Sequence, residues 1–168
     1  METTQTQSLH FQLKPFQLQD YNQLIEWITT EDLNYLWGGP CYRFPLDHQQ
    51  IKAHCDQDEV FAYLFTVDNR NAGFVELYRE STHCFRLCRV FIADDYRGQK
   101  LAEVMLKMVI EKASLEFNAR LITLAVFAHN QAAKRCYQTL GFRTTAIEKG
   151  TRTFKEQSWD LELMAKAL

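Results

Sequence analysis

Residues 90–112 read VFIADDYRGQKLAEVMLKMVIEK. An apolar run rich in β-forming residues ends at Ile92, and after an acidic turn the apolar residues recur at helical spacing. This stretch therefore predicts a strand, a tight turn and an amphipathic helix. The first turn of such a helix presents free backbone N–H groups and the positive end of the helix dipole. With Arg97 and Lys100 beside them, these groups suit a phosphate or pyrophosphate. On this stretch alone, a glycine turn flanked by two solvated cations explains the pattern equally well.

A second stretch, residues 130–142, reads NQAAKRCYQTLGF. Asn130 is a good N-cap, and Gly141 is well suited to the position just past the end of a helix. Between them, Ala133, Tyr137 and Leu140 share one helix face. The stretch predicts a short helix with defined ends.

Together the two stretches resemble motifs A and B of the GNAT superfamily, the acetyl-CoA-dependent N-acetyltransferases. Motif A reads Arg or Gln, two residues, Gly, one residue, then Gly or Ala; Arg97 and Ala102 match it, and Lys100 stands at the glycine position. We expect Lys100 to fit there without strain, because the position falls in the first helical turn, where φ is negative. Motif B is matched throughout, by Asn130, Ala133, Tyr137, Leu140, Gly141 and Phe142.

Residue patterns along the whole chain predict one α/β domain over residues 1–168 with a mixed central sheet. Asp20 and Asp47 are predicted to cap helices, and residues 37–40 are predicted to form a loop. Strands are predicted at 10–16, 60–67, 73–78, 84–92, 121–127, 142–147 and 159–164, and helices at 100–117 and 131–140. The GNAT fold has the same order of elements, so the resemblance implies a mostly antiparallel sheet flanked by helices.

Composition narrows the class of protein. The 168 residues have a formal net charge of −2 and no basic run, so we expect no nucleic-acid partner. No apolar run is long enough to span a membrane and no signal peptide is recognisable, which predicts a cytoplasmic protein that does not bind membranes. The five cysteines are scattered without a C-x-x-C pair, so we expect reduced, mostly buried thiols and no metal.

The GNAT resemblance also implies where acetyl-CoA, the expected cosubstrate, binds. Backbone groups of Val90, Phe91 and Ile92 would hold the pantetheine arm and polarise the acetyl carbonyl, in a gap between this strand and the strand at 121–127. The amides of the following turn would cradle the pyrophosphate. The predicted cofactor-binding residues are Val90, Phe91, Ile92, Arg97, Gly98, Gln99, Lys100, Leu101, Ala102, Asn130, Ala133 and Tyr137.

The resemblance makes Tyr137 the general acid, since a phenol with a pKa of about 10 is protonated at neutral pH and can reprotonate the departing thiolate. A core aromatic is the alternative for this residue. Some relatives carry a glutamate base where this chain has Ala125. Glu76 and His83 are the other candidates for the base, because each could reach the mouth of the gap. Ordinary strand residues, with a water chain as the base, remain the alternative.

These observations predict an N-acetyltransferase that moves an acetyl group from acetyl-CoA to a primary amine by direct attack in a ternary complex. The acceptor would be a small molecule or a protein N-terminus. A non-catalytic acyl-CoA-binding or protein-interaction module is the alternative, and the oligomeric state stays open, a homodimer included. A dinucleotide-binding protein or kinase is disfavoured, because neither G-x-G-x-x-G nor a Walker A sequence occurs.

Overall fold

The computed structural model describes residues 8–168, so the first seven residues of the predicted domain lie outside the described part. The described residues form the strands β1 (Phe11–Pro15), β2 (Val60–Val67), β3 (Arg70–Arg79), β4 (Cys84–Ile92), β5 (Leu121–Phe127), β6 (Arg143–Phe154) and β7 (Gln157–Ala167). Their helices are α1 (Tyr21–Trp27), α2 (Glu31–Gly38), α3 (His48–Cys55), α4 (Leu101–Phe117) and α5 (Gln131–Thr139). None of these helices combines the length and the apolar character needed to cross a bilayer.

The seven strands form one sheet in the order β1-β2-β3-β4-β5-β7-β6. Within residues 8–168, β4 and β5 are the one parallel pair, and the other neighbours are antiparallel. The predicted α/β fold, with a mixed and mostly antiparallel sheet flanked by helices, is confirmed.

The sheet separates two apolar cores. Phe65 and Val75 pack in the core beneath α4, whereas their neighbours Leu64 and Phe74 pack against α1 and α3. Successive side chains of a strand point to opposite faces, so a strand covered on both sides must be apolar at nearly every position. The apolar sequence of β2 therefore marks it as a central strand of the sheet.

The pairing of β4 with β5 stops halfway along both strands. Cys84 to Leu87 pair with Leu121 to Leu124, and beyond this point the two strands do not pair with each other. Their second halves therefore diverge, and the backbone N–H and C=O groups on the edges that face each other are not paired across the gap.

A β-bulge lies in β4 where the divergence begins. Glu76 pairs with Cys88 and Phe74 with Phe91, so one residue of β3 opposes two residues of β4, Arg89 and Val90. Arg89 has a φ of 52°, in the left-handed region. A bulge with its first residue in this conformation bends the strand and increases its twist, which turns the end of β4 away from β5.

Several predicted boundaries were wrong, among them those of β3, which runs from Arg70 to Arg79 and not from 73 to 78. The predicted loop at 37–40 lies half inside α2, because Thr30 caps that helix through Leu33 N and Trp37 packs against Tyr42 and Phe74. The last two strands are longer than predicted, because they meet at a two-residue turn of Lys155 and Glu156, both with positive φ. This pair lacks the Asn-Gly or Asp-Gly signal of such turns.

Gly73 of β3 lies close to both β4 and α4. A Cβ at this position would lie 2.7 Å from the Phe91 carbonyl oxygen, 2.9 Å from Ile92 Cδ1 and 3.1 Å from Met105 Sδ. We therefore expect Gly73→Ala to lower the free energy of unfolding by about 1–3 kcal/mol, because a backbone atom cannot yield as a side chain can. Urea denaturation measures this. Gly38→Ala is the control, since its methyl would meet the Tyr42 ring at 3.2 Å and should cost less; an equal loss in both variants would contradict the explanation.

Candidate active site

The divergence of β4 and β5 opens a cleft of about 760 Å³. Its walls are the second halves of these two strands, one face of α5, the first turns of α4, and the end of α2 with the short 3-10 turn Gly39–Cys41, and β6 and β7 add Arg152 and Leu161. Eight of the predicted cofactor-binding residues lie in these walls: Val90, Phe91, Ile92, Arg97, Ala102, Asn130, Ala133 and Tyr137.

The other four predicted cofactor-binding residues lie at the turn that leads into α4, beside the cleft. Gly98, Gln99 and Lys100 are exposed, whereas Leu101 is buried in the core under the sheet. The backbone amides at the start of α4 have no partner within the helix, so this turn offers N–H donors at one end of the cleft. A diphosphate bound here would accept hydrogen bonds from the backbone, so the side chains of these residues need not line the cleft.

Arg97 reaches back from this turn over the end of β4. Its Nε donates to the Ile92 carbonyl at 3.0 Å, and its Nη1 lies 3.1 Å from Asp94 Oδ1. The side chain remains 53% exposed, so part of the guanidinium is available to a phosphate oxygen. The position of the cation at the mouth of the cleft is thus fixed by protein contacts before a ligand arrives.

The backbone at Lys100 differs from the prediction. Lys100 is the N-cap of α4 with φ 59° and ψ 22°, which is left-handed, so the expectation of a negative φ was wrong. The physical reason is that the chain must reverse sharply between the 3-10 turn at Asp94–Tyr96 and the helix, and the N-cap lies outside the helical turn. A glycine would take this conformation without the cost that a Cβ imposes.

Helix α5 positions Asn130 and Tyr137 at the cleft. The Asn130 side chain accepts from Ala133 N at 3.3 Å and so caps the helix as predicted. Lys134 forms an ion pair with Glu162 of β7 at 2.7 Å, and this contact ties the helix to the sheet. Tyr137 is 8% exposed, and burial raises its pKa well above its ordinary value. The phenol is therefore protonated at neutral pH, as a proton donor must be.

Glu76 and His83 do not lie in the cleft walls, so the expectation that either reaches its mouth was wrong. Glu76 is 1% exposed, because its β3 position points into the core, where it pairs with buried partners. His83 lies at the paired end of β4, away from the divergence, with Nδ1 2.9 Å from the Asn118 carbonyl oxygen. Ala125 does line the cleft, so no carboxylate occupies that wall position.

Four polar residues that sequence reasoning did not combine meet behind one wall. We call Cys41, His54, Glu76 and Arg89 the Cys41 cluster; Cys41 and Arg89 line the cleft, and His54 and Glu76 lie buried behind them. The four come from the turn after α2, from α3, from β3 and from the bulge in β4. Their sequence spacing carries no motif, so no local signal could have identified them. The five cysteines are free thiols, but the expectation that most of them are buried was wrong: Cys41 is exposed and the other four are half-buried. Residues 8–168 contain no cluster of side chains suited to hold a metal.

N-acetyltransferases of known structure share this fold. The spermidine N-acetyltransferase of Vibrio cholerae, crystallised with CoA and spermine, superposes with a TM-score of 0.81 at 15% identity, over 94% of this chain and 95% of that one. The ribosomal-protein-S18-alanine N-acetyltransferase of Escherichia coli superposes with a TM-score of 0.74 at 18% identity, over 94% of each chain. At these identities the likeness establishes the fold alone.

The chain belongs to the acetyltransferase (GNAT) family, whose sequence model matches residues 21–142. An uncharacterised N-acetyltransferase of Bacillus subtilis (strain 168), YdgE, is 30% identical over 91 residues. That alignment covers 51% of this chain and 57% of the relative, so the chain spans little more than half the length of this relative.

Two substitutions at Lys100 separate the effect of its left-handed backbone on stability from the effect of its charge on CoA binding. Lys100→Gly removes both, whereas Lys100→Ala removes the charge and keeps the Cβ. We expect the glycine variant to be about 1 kcal/mol more stable than the alanine variant, as measured by urea denaturation. CoA affinity, measured by calorimetry, should weaken modestly and equally in both. Equal stabilities would contradict the backbone assignment, and a large gain in affinity with glycine alone would show that Lys100 obstructs the site.

Proposed function

We propose that the protein transfers the acetyl group of acetyl-CoA to a primary amine by direct attack in a ternary complex. The observation that carries the proposal is the cleft itself: diverging strands with unpaired backbone groups, a helix N-terminus at one end and a protonated tyrosine in the wall. Family membership supports the reaction class.

The cofactor side is argued from backbone geometry. Beyond Leu87, the edge of β4 that faces β5 has no strand partner, so an extended pantetheine arm can pair with the backbone of Val90 and with the N–H group of Ile92, whose carbonyl already accepts from Arg97. The diphosphate then reaches the amides of residues 98–102, with Arg97 beside it. Asn130 and Ala133 border the arm from α5. Acetyl-CoA supplies the activated acetyl group, and no metal has a part in the proposal.

The chemical step needs a polarised carbonyl, a neutral amine and a proton for the departing thiolate. Free N–H groups of the bulged part of β4 suit the developing oxyanion. Tyr137 suits the role of general acid, because its proton is retained at neutral pH. We assign the base neither to Glu76 nor to His83, since both lie outside the cleft walls. The amine's proton leaves through water at the mouth of the cleft.

The acceptor is proposed only as a class: a primary amine of a small molecule or a protein N-terminus. The two structural neighbours named above span both kinds, a polyamine in one and a ribosomal protein in the other. The expectations of a cytoplasmic location, of no nucleic-acid or membrane partner, and of an open oligomeric state remain predictions.

Two observations favour a second function, a non-catalytic acyl-CoA-binding module. Lys100 occupies the signature glycine position in a conformation that suits glycine, and the cleft walls lack a carboxylate at Ala125. A binding module would tolerate both departures, since it needs neither a base nor turnover.

A thiol-release assay with acetyl-CoA decides between enzyme and module. The acceptor panel contains polyamines, amino acids, aminoglycosides and peptides with free N-termini, and calorimetry with CoA is run in parallel. We expect CoA binding together with thiol release that depends on one class of amine. Binding without turnover on any acceptor would support the module, and absence of CoA binding would reject both.

Tyr137→Phe tests the general acid. The variant keeps the ring and its packing against Phe142 but removes the proton, so kcat should fall by about 10²- to 10⁴-fold with little change in CoA affinity. Tyr63→Phe, at a buried tyrosine of β2 that does not line the cleft, is the matched control and should keep kcat. An unchanged kcat in Tyr137→Phe would remove the phenol from the mechanism.

A further inference from the structure

The Cys41 cluster has the geometry of an activated thiol. His54 Nδ1 lies 3.5 Å from Cys41 Sγ, and His54 Nε2 lies 2.9 Å from Glu76 Oε2. Arg89 bridges both ends, with Nη2 3.1 Å from Cys41 Sγ and Nε 3.4 Å from Glu76 Oε2. A nucleophile beside a base that is oriented by a carboxylate is the arrangement by which proteins activate cysteine.

The charges in the cluster favour the thiolate. Burial alone would raise the pKa of Cys41, but the hydrogen bond with His54 and the charge of Arg89 outweigh it, so the pKa of this thiol is lowered. Burial likewise opposes protonation of His54, yet its hydrogen bonds to Cys41 and Glu76 raise its pKa to about 9. A thiolate and a carboxylate then face an imidazolium and a guanidinium, so the buried charges balance.

The other groups packed around the cluster stay uncharged. Tyr42 packs edge-on against the His54 ring, and burial raises the pKa of its phenol. Burial also raises the pKa of Cys55 to about 12 and that of Cys88 to about 11. Gln57 is a neutral amide, and its Nε2 donates to the His54 carbonyl at 3.0 Å. None of these four side chains therefore adds a charge to the cluster.

The thiol opens into the cleft at the bulge of β4. Arg89, the first residue of the bulge, contacts Cys41, and Val90 is the next residue of β4. In the proposed function, this part of β4 binds the acetyl group. The electrophile that the proposed function brings to this place is a thioester.

We propose that Cys41 is a second acyl acceptor, which takes the acetyl group from bound acetyl-CoA and forms S-acetyl-Cys41. The inference rests on the proposed function for the binding of acetyl-CoA. It adds a covalent form of the protein to direct transfer to the amine.

The step balances without any further reactant. Cys41 Sγ, as the thiolate, attacks the carbonyl carbon of the thioester; the bond from Sγ to this carbon forms, and the bond from this carbon to the CoA sulfur breaks. The electron pair leaves with the CoA thiolate, which takes its proton from Tyr137 or water. One thioester replaces another, so excess acetyl-CoA drives the reaction. His54 keeps its proton and its partner Glu76 throughout.

The full chain is tested with acetyl-CoA and no amine. Tryptic mass spectrometry follows acetylation with time, and hydroxylamine distinguishes the thioester from acetyl-lysine. We expect a hydroxylamine-sensitive acetyl group on Cys41, gained at least about tenfold faster than on Cys88 or Cys136, which line the same cleft but whose pKa values are raised to about 11. This comparison is made within one protein, so it does not depend on a variant that folds.

Two further measurements test the role of the cluster. The rate at which iodoacetamide alkylates Cys41 should rise with pH through an inflection below the ordinary thiol pKa. His54→Gln should slow acetylation of Cys41 by about tenfold or more, since loss of the imidazole raises the pKa of the thiol and lowers the fraction present as thiolate; calorimetry with CoA checks that the variant folds.

The outcomes separate this inference from the proposed function. CoA binding or amine acetylation without acetyl-Cys41 would overturn the inference and leave the proposed function standing. Equal labelling of Cys41, Cys88 and Cys136 would also overturn it, because the cluster would then have no effect. If CoA does not bind at all, both are rejected.

Discussion

The β-bulge at Arg89 is the constraint on which the site depends. Inserting one residue into β4 turns its second half away from β5, and this separation converts a continuous sheet into a sheet with a cleft. Arg89 occupies the left-handed region although it carries a Cβ, a conformation that costs about 1–2 kcal/mol. The surrounding contacts offset that cost: its carbonyl accepts from Trp37 Nε1 at 2.9 Å, and its guanidinium pairs with Glu76 inside the protein. The same residue therefore shapes the cofactor cleft and builds the Cys41 cluster.

Sequence patterns predicted the elements that follow local periodicity. Strands β2, β4 and β5 begin and end as predicted, because their apolar runs end at clear turn residues. The Asn130 cap followed from a motif with fixed spacing, whereas the gap between β4 and β5 was an implication of the resemblance to the GNAT family. The left-handed backbone at Lys100 could not be predicted, since it is imposed by the path between the 3-10 turn and α4. The candidates for the base failed for a similar reason: alternation along a strand does not reveal that β3 buries Glu76 against His54 and Arg89.

The Cys41 cluster illustrates what lies beyond sequence reasoning. Its members are separated by 13, 22 and 13 positions along the chain and come together because α2 and α3 pack against the face of the sheet opposite α4. Buried charges of this kind are costly unless they are paired. A core of apolar residues would serve stability at least as well, so packing alone does not account for four ionisable groups beside the cleft.

A crystal structure of the protein with bound acetyl-CoA tests the central claim most directly. The account predicts a pantetheine arm paired with the free edge of β4, a pyrophosphate at the amides that open α4, and a thioester sulfur within hydrogen-bond reach of the Tyr137 hydroxyl. Acetyl-CoA bound outside the cleft, or with its sulfur facing away from Tyr137, would contradict it.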